Sequence, residues 1–377
     1  MTHDQAVAAI CEQLAAEHCA DAELLEAARR LARTLLPLAE QHDLESVVLA
    51  AVAHASGLGP LHHYMVDPFV NEIMVNNGGD IWIEREGCTS FAGRLASDVT
   101  PRIIERMLNP VGRRLDRLSP IVDARLPDGS RVCAVIAPIA IDGACFTMRR
   151  FGVRRRVLRD FAQGAVIDLL HALVDHRCNV LISGATSSGK TSLLNALASR
   201  ITAGERVITL EDTAELQLGT SHVLRLEARA ATADGVSAIT MTDLVRTSLR
   251  LRPDRLVLGE IRGAEVIDML QALNTGHDGS MSTCHANSAL DALRRIEALV
   301  VQHAPGWPIA AVREQVCSSL DVVIHLERDA YGLRHVRDII ELAAPTSAAT
   351  PGAPGAHRTL VAEGVVVNDL QRGRRRC

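Results

Sequence analysis

One stretch narrows the folds open to this chain more than any other. Gly184-Ala-Thr-Ser-Ser-Gly189-Lys190-Thr191 fits the spacing G-x-x-x-x-G-K-[ST]. It follows the apolar run Val180-Leu181-Ile182, suited to a buried strand. It precedes Ser192-Leu193-Leu194-Asn195-Ala196-Leu197, which reads as helix. Strand, glycine-bearing loop and helix in that order place the loop at the carboxyl end of a strand in a parallel, helix-covered sheet. Gly184 and Gly189 let successive backbone N–H groups turn towards one anion. The following helix aims its positive end at the same point. The loop therefore predicts a phosphate cradle for ATP and Mg²⁺. Lys190 would reach the β- and γ-phosphates and the Thr191 hydroxyl would ligate Mg²⁺. Gly184, Thr186, Ser187, Ser188, Gly189 and Ser192 would complete the binding loop.

Two further apolar runs end in acids. Val207-Ile208-Thr209-Leu210 leads into Glu211-Asp212, and Leu256-Val257-Leu258 leads into Gly259-Glu260. In doubly wound sheets ligands lie beyond the carboxyl ends of the strands, so both acids should face the same phosphates. A carboxylate there can hold Mg²⁺, partly through water, or orient the attacking water. Glu260 is the expected metal partner of Thr191. Which of Glu211 and Glu260 activates the water stays open. Many phosphate-loop enzymes place an Asp just before this Glu, whereas here the position is Gly259. One such acid alone reads more simply as a helix cap or salt bridge; two beside a phosphate loop favour chemistry. Beyond them, the polar stretch from Thr275 to Asn287 carries His277 and His285, and a histidine near a γ-phosphate can report its presence.

The surrounding pattern divides the chain into five parts. Residues 1–56 read as helix, from the recurrence of Leu14, Leu24, Leu25, Leu31, Leu35 and Leu38, with a break at Pro37. Residues 57–150 read as a small α+β domain. A hairpin surrounds Asn77-Gly78-Gly79-Asp80, a helix spans Pro101 to Arg114, and strands span Arg131–Ile136 and Cys145–Arg150. Residues 151–160, with Arg154-Arg155-Arg156, read as a linker. Residues 161–342 alternate strand and helix patterns, and 343–377 read as a flexible low-complexity tail with a basic end.

Composition sets the class of partner. The net charge of -5 and an aromatic content of 2% leave no basic stripe with interleaved stacking residues, so no direct nucleic-acid contact is expected. Nine dispersed cysteines without a C-x-x-C pair speak against zinc and for reduced thiols in the cytoplasm. No signal peptide and no apolar stretch long enough to span a bilayer is visible, so any membrane contact should be peripheral and through partners.

With these motifs in place, the chain resembles the type II/IV secretion ATPases, and within them the CpaF/TadA-type ATPases of Tad (Flp) pilus systems. The likeness runs from about Gly57 to about Leu342. Its Walker A is Gly184 to Thr191, and its acidic box is Thr209 to Leu216. Its Walker B runs from Leu249 to Arg262, and its histidine box from Gly276-His277 to His285-Ala286-Asn287. Gly259 is usual in that family. The resemblance implies a RecA-like ATPase domain, a smaller PAS-like α+β N-terminal domain and a helical extension. It implies a homo-hexameric ring with ATP between the two domains, and inner-membrane platform proteins of a pilus or secretion system as partners. It also implies that N-terminal arginines reach the nucleotide, and Arg125, Arg131, Arg149 and Arg150 occupy the matching segments. In that reading Glu211, Glu260, His277, His285, Arg125, Arg131 and Arg149 serve catalysis. The tetracysteine module of type II secretion ATPases is missing. Alternatives stay open: a conjugation-type ATPase moving DNA–protein complexes, a nucleic-acid translocase, or a nucleotide-binding scaffold. No N-K-x-D motif supports a GTP switch.

Overall fold

A computed structural model describes residues 2–17, 24–55, 58–85, 87–96, 98–150, 156–229, 231, 237–329, 332–342 and 357–371. The chain divides into two compact units, Met1–Arg154 and Arg155–Cys377. The division falls inside the predicted linker, of which residues 151–155 lie outside the described residues.

The first unit begins with three helices, α1 (His3–Glu17), α2 (Leu24–Leu35) and α3 (Gln41–Ala55). Pro37 stands between α2 and α3, where its missing N–H and fixed φ end the helical run. Ile10, Leu14, Leu24, Leu31, Val48 and Ala51 form a separate small core. Leu38 does not join it and is 98% exposed, because it sits in the connection rather than on a helix face.

There follow α4 (His62–Val66), β1 (Val70–Asn76), β2 (Asp80–Arg85), β3 (Cys88–Arg94), α5 (Val99–Leu108), β4 (Ile121–Arg125), β5 (Arg131–Val135) and β6 (Cys145–Arg149). The six strands make an antiparallel sheet in the order β3-β2-β1-β6-β5-β4. Asn77 and Gly78 take left-handed φ values of 48° and 74°, which is how the predicted hairpin turns. One face of the sheet buries Ile73, Ile83, Val132, Phe146 and Met148 with Ile103, Ile104 and Met107 of α5. The helix α5 stops short of Arg114, since Pro110 has no N–H to continue the ladder and Gly112 turns the chain into the left-handed region at φ 65°.

The second unit contains α6 (Ala165–Asp175), β7 (Val180–Gly184), α7 (Lys190–Ala198), β8 (Val207–Glu211), β9 (Val223–Glu227), α8 (Met241–Ser248), β10 (Arg255–Leu258), α9 (Glu265–Asn274), β11 (Met281–His285), α10 (Ala289–His303), α11 (Ile309–Ser319), β12 (Val322–Arg328), β13 (Arg334–Leu342), β14 (His357–Ala362) and β15 (Val365–Val366). They build one sheet in the order β15-β14-β13-β12-β7-β11-β10-β8-β9. From β12 to β9 neighbours run parallel, and β13 to β15 add on antiparallel. Alternate strand residues point to opposite layers, which is why the runs are apolar throughout. Leu181, Ile208 and Leu256 pack with α8 to α11, while Val180, Ile182, Val207 and Val257 pack with α6 and α7. The sheet of the second unit is a doubly wound α/β layer, as its alternating pattern predicts.

The predicted tail is corrected at its centre. Residues 343–356 and 372–377 lie outside the described residues, but β14 and β15 extend the sheet, and Leu360 and Val361 are fully buried. Glu363 and Gly364 have φ of 49° and 77°, the handedness of a two-residue hairpin turn. The low-complexity run before them hides a hairpin that Thr359-Leu-Val-Ala-Glu-Gly-Val-Val-Val spells out. Among the described residues no helix is long and apolar enough to cross a membrane.

Candidate active site

The parallel strands bring their carboxyl ends to one edge. His285 ends β11 level with Gly184 at the end of β7, and β10 lies in register with both β8 and β11. From Gly184 the chain turns into the phosphate loop. A Cβ at Gly184 would stand 2.6 Å from the Leu326 carbonyl oxygen and 2.5 Å from Ser188 Oγ, so only glycine fits between the loop and β12. Gly189, at φ 97°, caps the amino end of α7 in the left-handed region. Ala185, Thr186 and Ser187 are exposed at the loop tip, while Ser188 and Lys190 are buried. Thr191 and Ser192 follow on the first turn of α7.

Lys190 Nζ donates to the carbonyls of Gly184 (3.1 Å) and Ala185 (2.9 Å) and stands 3.2 Å from His285 Nδ1. A lysine ammonium only donates, so Nδ1 accepts and the imidazole proton sits on Nε2. Nε2 is 3.1 Å from Glu260 Oε1, and the other carboxylate oxygen accepts from Arg262 Nη2 at 2.6 Å. Burial, then the charges of Lys190, Arg262 and Arg295, hold His285 below its usual range against the pull of Glu260. The ring is therefore neutral at pH 7, which the tautomer requires. Lys190, His285, Glu260 and Arg262 form a continuous polar chain along the sheet edge.

Glu211 is the second acid. Its Oε1 accepts from the N–H groups of Glu215 and Leu216, both at 2.8 Å. Burial is the dominant influence and pushes its carboxyl up to about 7, outweighing those two bonds and the charge of Arg225. The site also explains Gly259. A Cβ there would lie 3.0 Å from Glu211 Cγ, so the Glu211 side chain occupies the space that an Asp at 259 would need. Thr283 Oγ1 donates to the Gly259 carbonyl at 2.6 Å and pins β10 to β11 just before Glu260.

Three buried oxygens here lack a hydrogen-bond partner among the described residues: Ser188 Oγ, Glu211 Oε2 and Glu260 Oε1, the last despite its approach to His285. Hydroxyl and carboxylate oxygens left unsatisfied at the end of a phosphate loop suit Mg²⁺ and its water shell.

The raised Glu211 makes a pH prediction. A carboxyl with ordinary value 4.5 that rises to about 7 on folding penalises the folded state as pH climbs through that window, by about 3 kcal/mol once fully ionised. Without nucleotide, the melting temperature of the protein should fall between pH 5 and pH 8. Glu211→Gln should flatten that fall; a slope that the variant leaves unchanged would remove Glu211 as its source.

A family model described as Type II/IV secretion system protein matches residues 54–371. This chain belongs to that family. Among relatives of this secretion-system protein is conjugal transfer protein TrbB of Rhizobium radiobacter, 34% identical over 288 residues, covering 73% of this chain and 84% of the relative. Type IV secretion system protein PtlH of Bordetella pertussis is 34% identical over 305 residues, covering 72% and 90%. The crystal structure of the pilus retraction motor PilT with bound ADP shares the fold, with a TM-score of 0.55 and 21% identity over 76% of this chain and 83% of that one.

The other residues predicted for this secretion-system protein fall in two places. His277 is not brought to the cluster. It precedes the amino end of β11, at the opposite edge of the sheet from His285, with Nδ1 3.0 Å from the Ala272 carbonyl. A polar, histidine-bearing stretch does not reveal which end of its strand each histidine occupies. Arg125, Arg131 and Arg149 are brought together, but within the first unit. They are direct cross-strand partners at the ends of β4, β5 and β6. Asp123 and Glu72 approach Arg131 and Arg149 only to 3.9 Å. Three like charges side by side on a sheet repel one another and favour an anion. Arg150 does otherwise: it donates to the carbonyls of Tyr64, Asp67 and Val70, tying α4 and β1 to the end of β6.

Sequence reasoning placed Arg262 in the Walker B stretch without a task. It missed Ser183 and His325, which lie 3.0 Å apart beneath the start of the loop, and Arg334, whose Nε donates to the Ser187 carbonyl at 3.3 Å. His325 and Arg334 had no signal in spacing, because β12 and β13 come to the loop from about 140 residues away by sheet pairing alone, and Ser183 is singled out only by that pairing.

Proposed function

We propose that this protein is an ATP-hydrolysing motor of a secretion or conjugal-transfer apparatus. The observation that carries the reading is the chain Lys190–His285–Glu260–Arg262 at the mouth of an intact phosphate loop. Lys190 and the loop N–H groups would bind the phosphates, and Thr191, with Glu260 partly through water, would hold Mg²⁺, which would supply charge neutralisation there. Glu260, oriented by Arg262 and with His285 Nε2 close to its other oxygen, accepts the proton of the attacking water. Glu211 supports the water and metal from the next acid-bearing strand. The arginine row is assigned to phosphate charge, working in a homo-hexameric ring whose partners are membrane platform proteins. The family relatives named for conjugal transfer and type IV secretion favour that side over the Tad pilus branch.

Lys190 is the sole lysine of the chain. This makes a direct test available. An amine-reactive acylating reagent, read by peptide mapping, should label Lys190 and the amino terminus only, and Mg-ATP should protect Lys190 alone. The same preparation should release phosphate from Mg-ATP at protein concentrations that permit assembly. Labelling of Lys190 that ignores Mg-ATP would sink the assignment of the site. Protection without phosphate release, even with assembled protein, would demote the motor to a nucleotide-binding scaffold.

A further inference from the structure

The β12–β13 hairpin meets the phosphate loop on the side of β7 away from β11. The aliphatic stem of Arg334, the first residue of β13, lies across Gly189. A Cβ added there would come within 2.7 Å of Arg334 Cδ and 3.3 Å of its Nε. With Nε donating to the Ser187 carbonyl, the guanidinium is carried to the amino end of α7, a helix of nine residues. That end bears the positive pole of the helix, and Lys190 adds a full positive charge. An anion seated at that end would face all three positive groups at once. His285 and Glu260 stand on the β11 and β10 side and mark where the terminal phosphate reacts. Arg334 comes to the loop from the opposite side.

From this geometry we propose that Arg334 is a nucleotide-binding residue whose guanidinium holds phosphate oxygens of the diphosphate that ATP and ADP share. The inference rests on reading the loop as an ATP site. It assigns Arg334 to affinity and leaves hydrolysis to the Glu260 chain. Arginine suits the task because its fork can bond two phosphate oxygens at once, whereas lysine offers a point charge.

The test uses the full chain and measures ADP and ATP binding, kcat and thermal stability for wild type, Arg334→Gln and Arg334→Lys. Losing a charged hydrogen bond to phosphate predicts that Arg334→Gln weakens ADP and ATP alike by about tenfold to a hundredfold. At saturating ATP, kcat should stay within about twofold. Arg334→Lys should recover part of the affinity, and the ADP affinity of wild type should fall more steeply with salt than that of Arg334→Gln. ADP affinity unchanged by Arg334→Gln would overturn the proposal. So would a weakening confined to ATP, which would make Arg334 a terminal-phosphate contact. A lowered melting temperature with an unchanged salt slope would assign it to loop support instead. Failure of wild type to bind ADP would overturn the site reading as well, which separates the two failures.

Discussion

Glu260→Gln is expected to lower phosphate release by about 10²- to 10⁴-fold, the range for removing a positioned general base, while Mg-ATP binding stays within a few-fold of wild type. The amide keeps the shape of the side chain and one oxygen that can accept from Arg262, whose Nη2 stands 2.6 Å from Glu260 in the native site. What it loses is the capacity to take a proton. Lys190→Ala should behave differently. Its ammonium bonds the loop carbonyls of Gly184 and Ala185 and stands beside His285, so its removal should weaken binding together with turnover. The split between the two variants is the informative quantity, read from phosphate release and nucleotide affinity on the same preparations. Retention of more than a tenth of wild-type turnover in Glu260→Gln would transfer the role of base to Glu211. The raised Glu211 carboxyl would then predict an activity that climbs as pH passes about 7.

A loss of comparable consequence is expected far from the phosphates. Arg255 opens β10 at the opposite end from Glu260 and is 3% exposed. Its Nε and Nη2 donate to both oxygens of Glu205, at 2.6 and 3.0 Å, and Nη1 reaches the carbonyls of Val174 and Gly279. Arg177 and the Thr202 hydroxyl complete the shell of Glu205. Burial would raise the Glu205 carboxyl, but the bonds from Arg255 and Thr202 and the two arginine charges win and hold it below its usual range. Arg255→Met removes the partner and leaves a buried carboxylate insufficiently compensated, a change that costs about 3–5 kcal/mol. The melting temperature should drop by roughly 10 °C. Adding Glu205→Gln should restore part of it, since removing both charges relieves the desolvation penalty that removing one exposes. A drop below about 2 °C for the single variant would show that water reaches the pair and that the shell contributes little.

Much of the second unit was legible because its signals are local. The strand, loop and helix around Gly184 to Thr191, and the acids following β8 and β10, each lie within a few residues of the run that positions them. Parallel strands then carry those local signals to a common edge. The exposed Leu38 and the hairpin of β14 and β15 show where local reading fails. A leucine in a connection counts toward a helical pattern that it does not share, and a short turn signal is lost after a long stretch of Ala and Pro. The distinction between His277 and His285 belongs to the same class, since both sit in one polar stretch but at opposite ends of a strand.

By itself the sequence determined the chemistry available: a phosphate loop with one lysine, two strand-end acids, two histidines and a set of N-terminal arginines. These depend on residue identity and short spacing, which no packing decision alters. Only the tertiary structure decided which of them meet. The pairing of β7 with β11 puts His285 on Lys190, and that of β10 with β8 puts Glu211 into the space beside Gly259. The approach of β12 and β13 lays Arg334 across the loop. Contacts of that kind follow from sheet order and register, which are set by how whole strands bury both faces and not by the residues that finally touch.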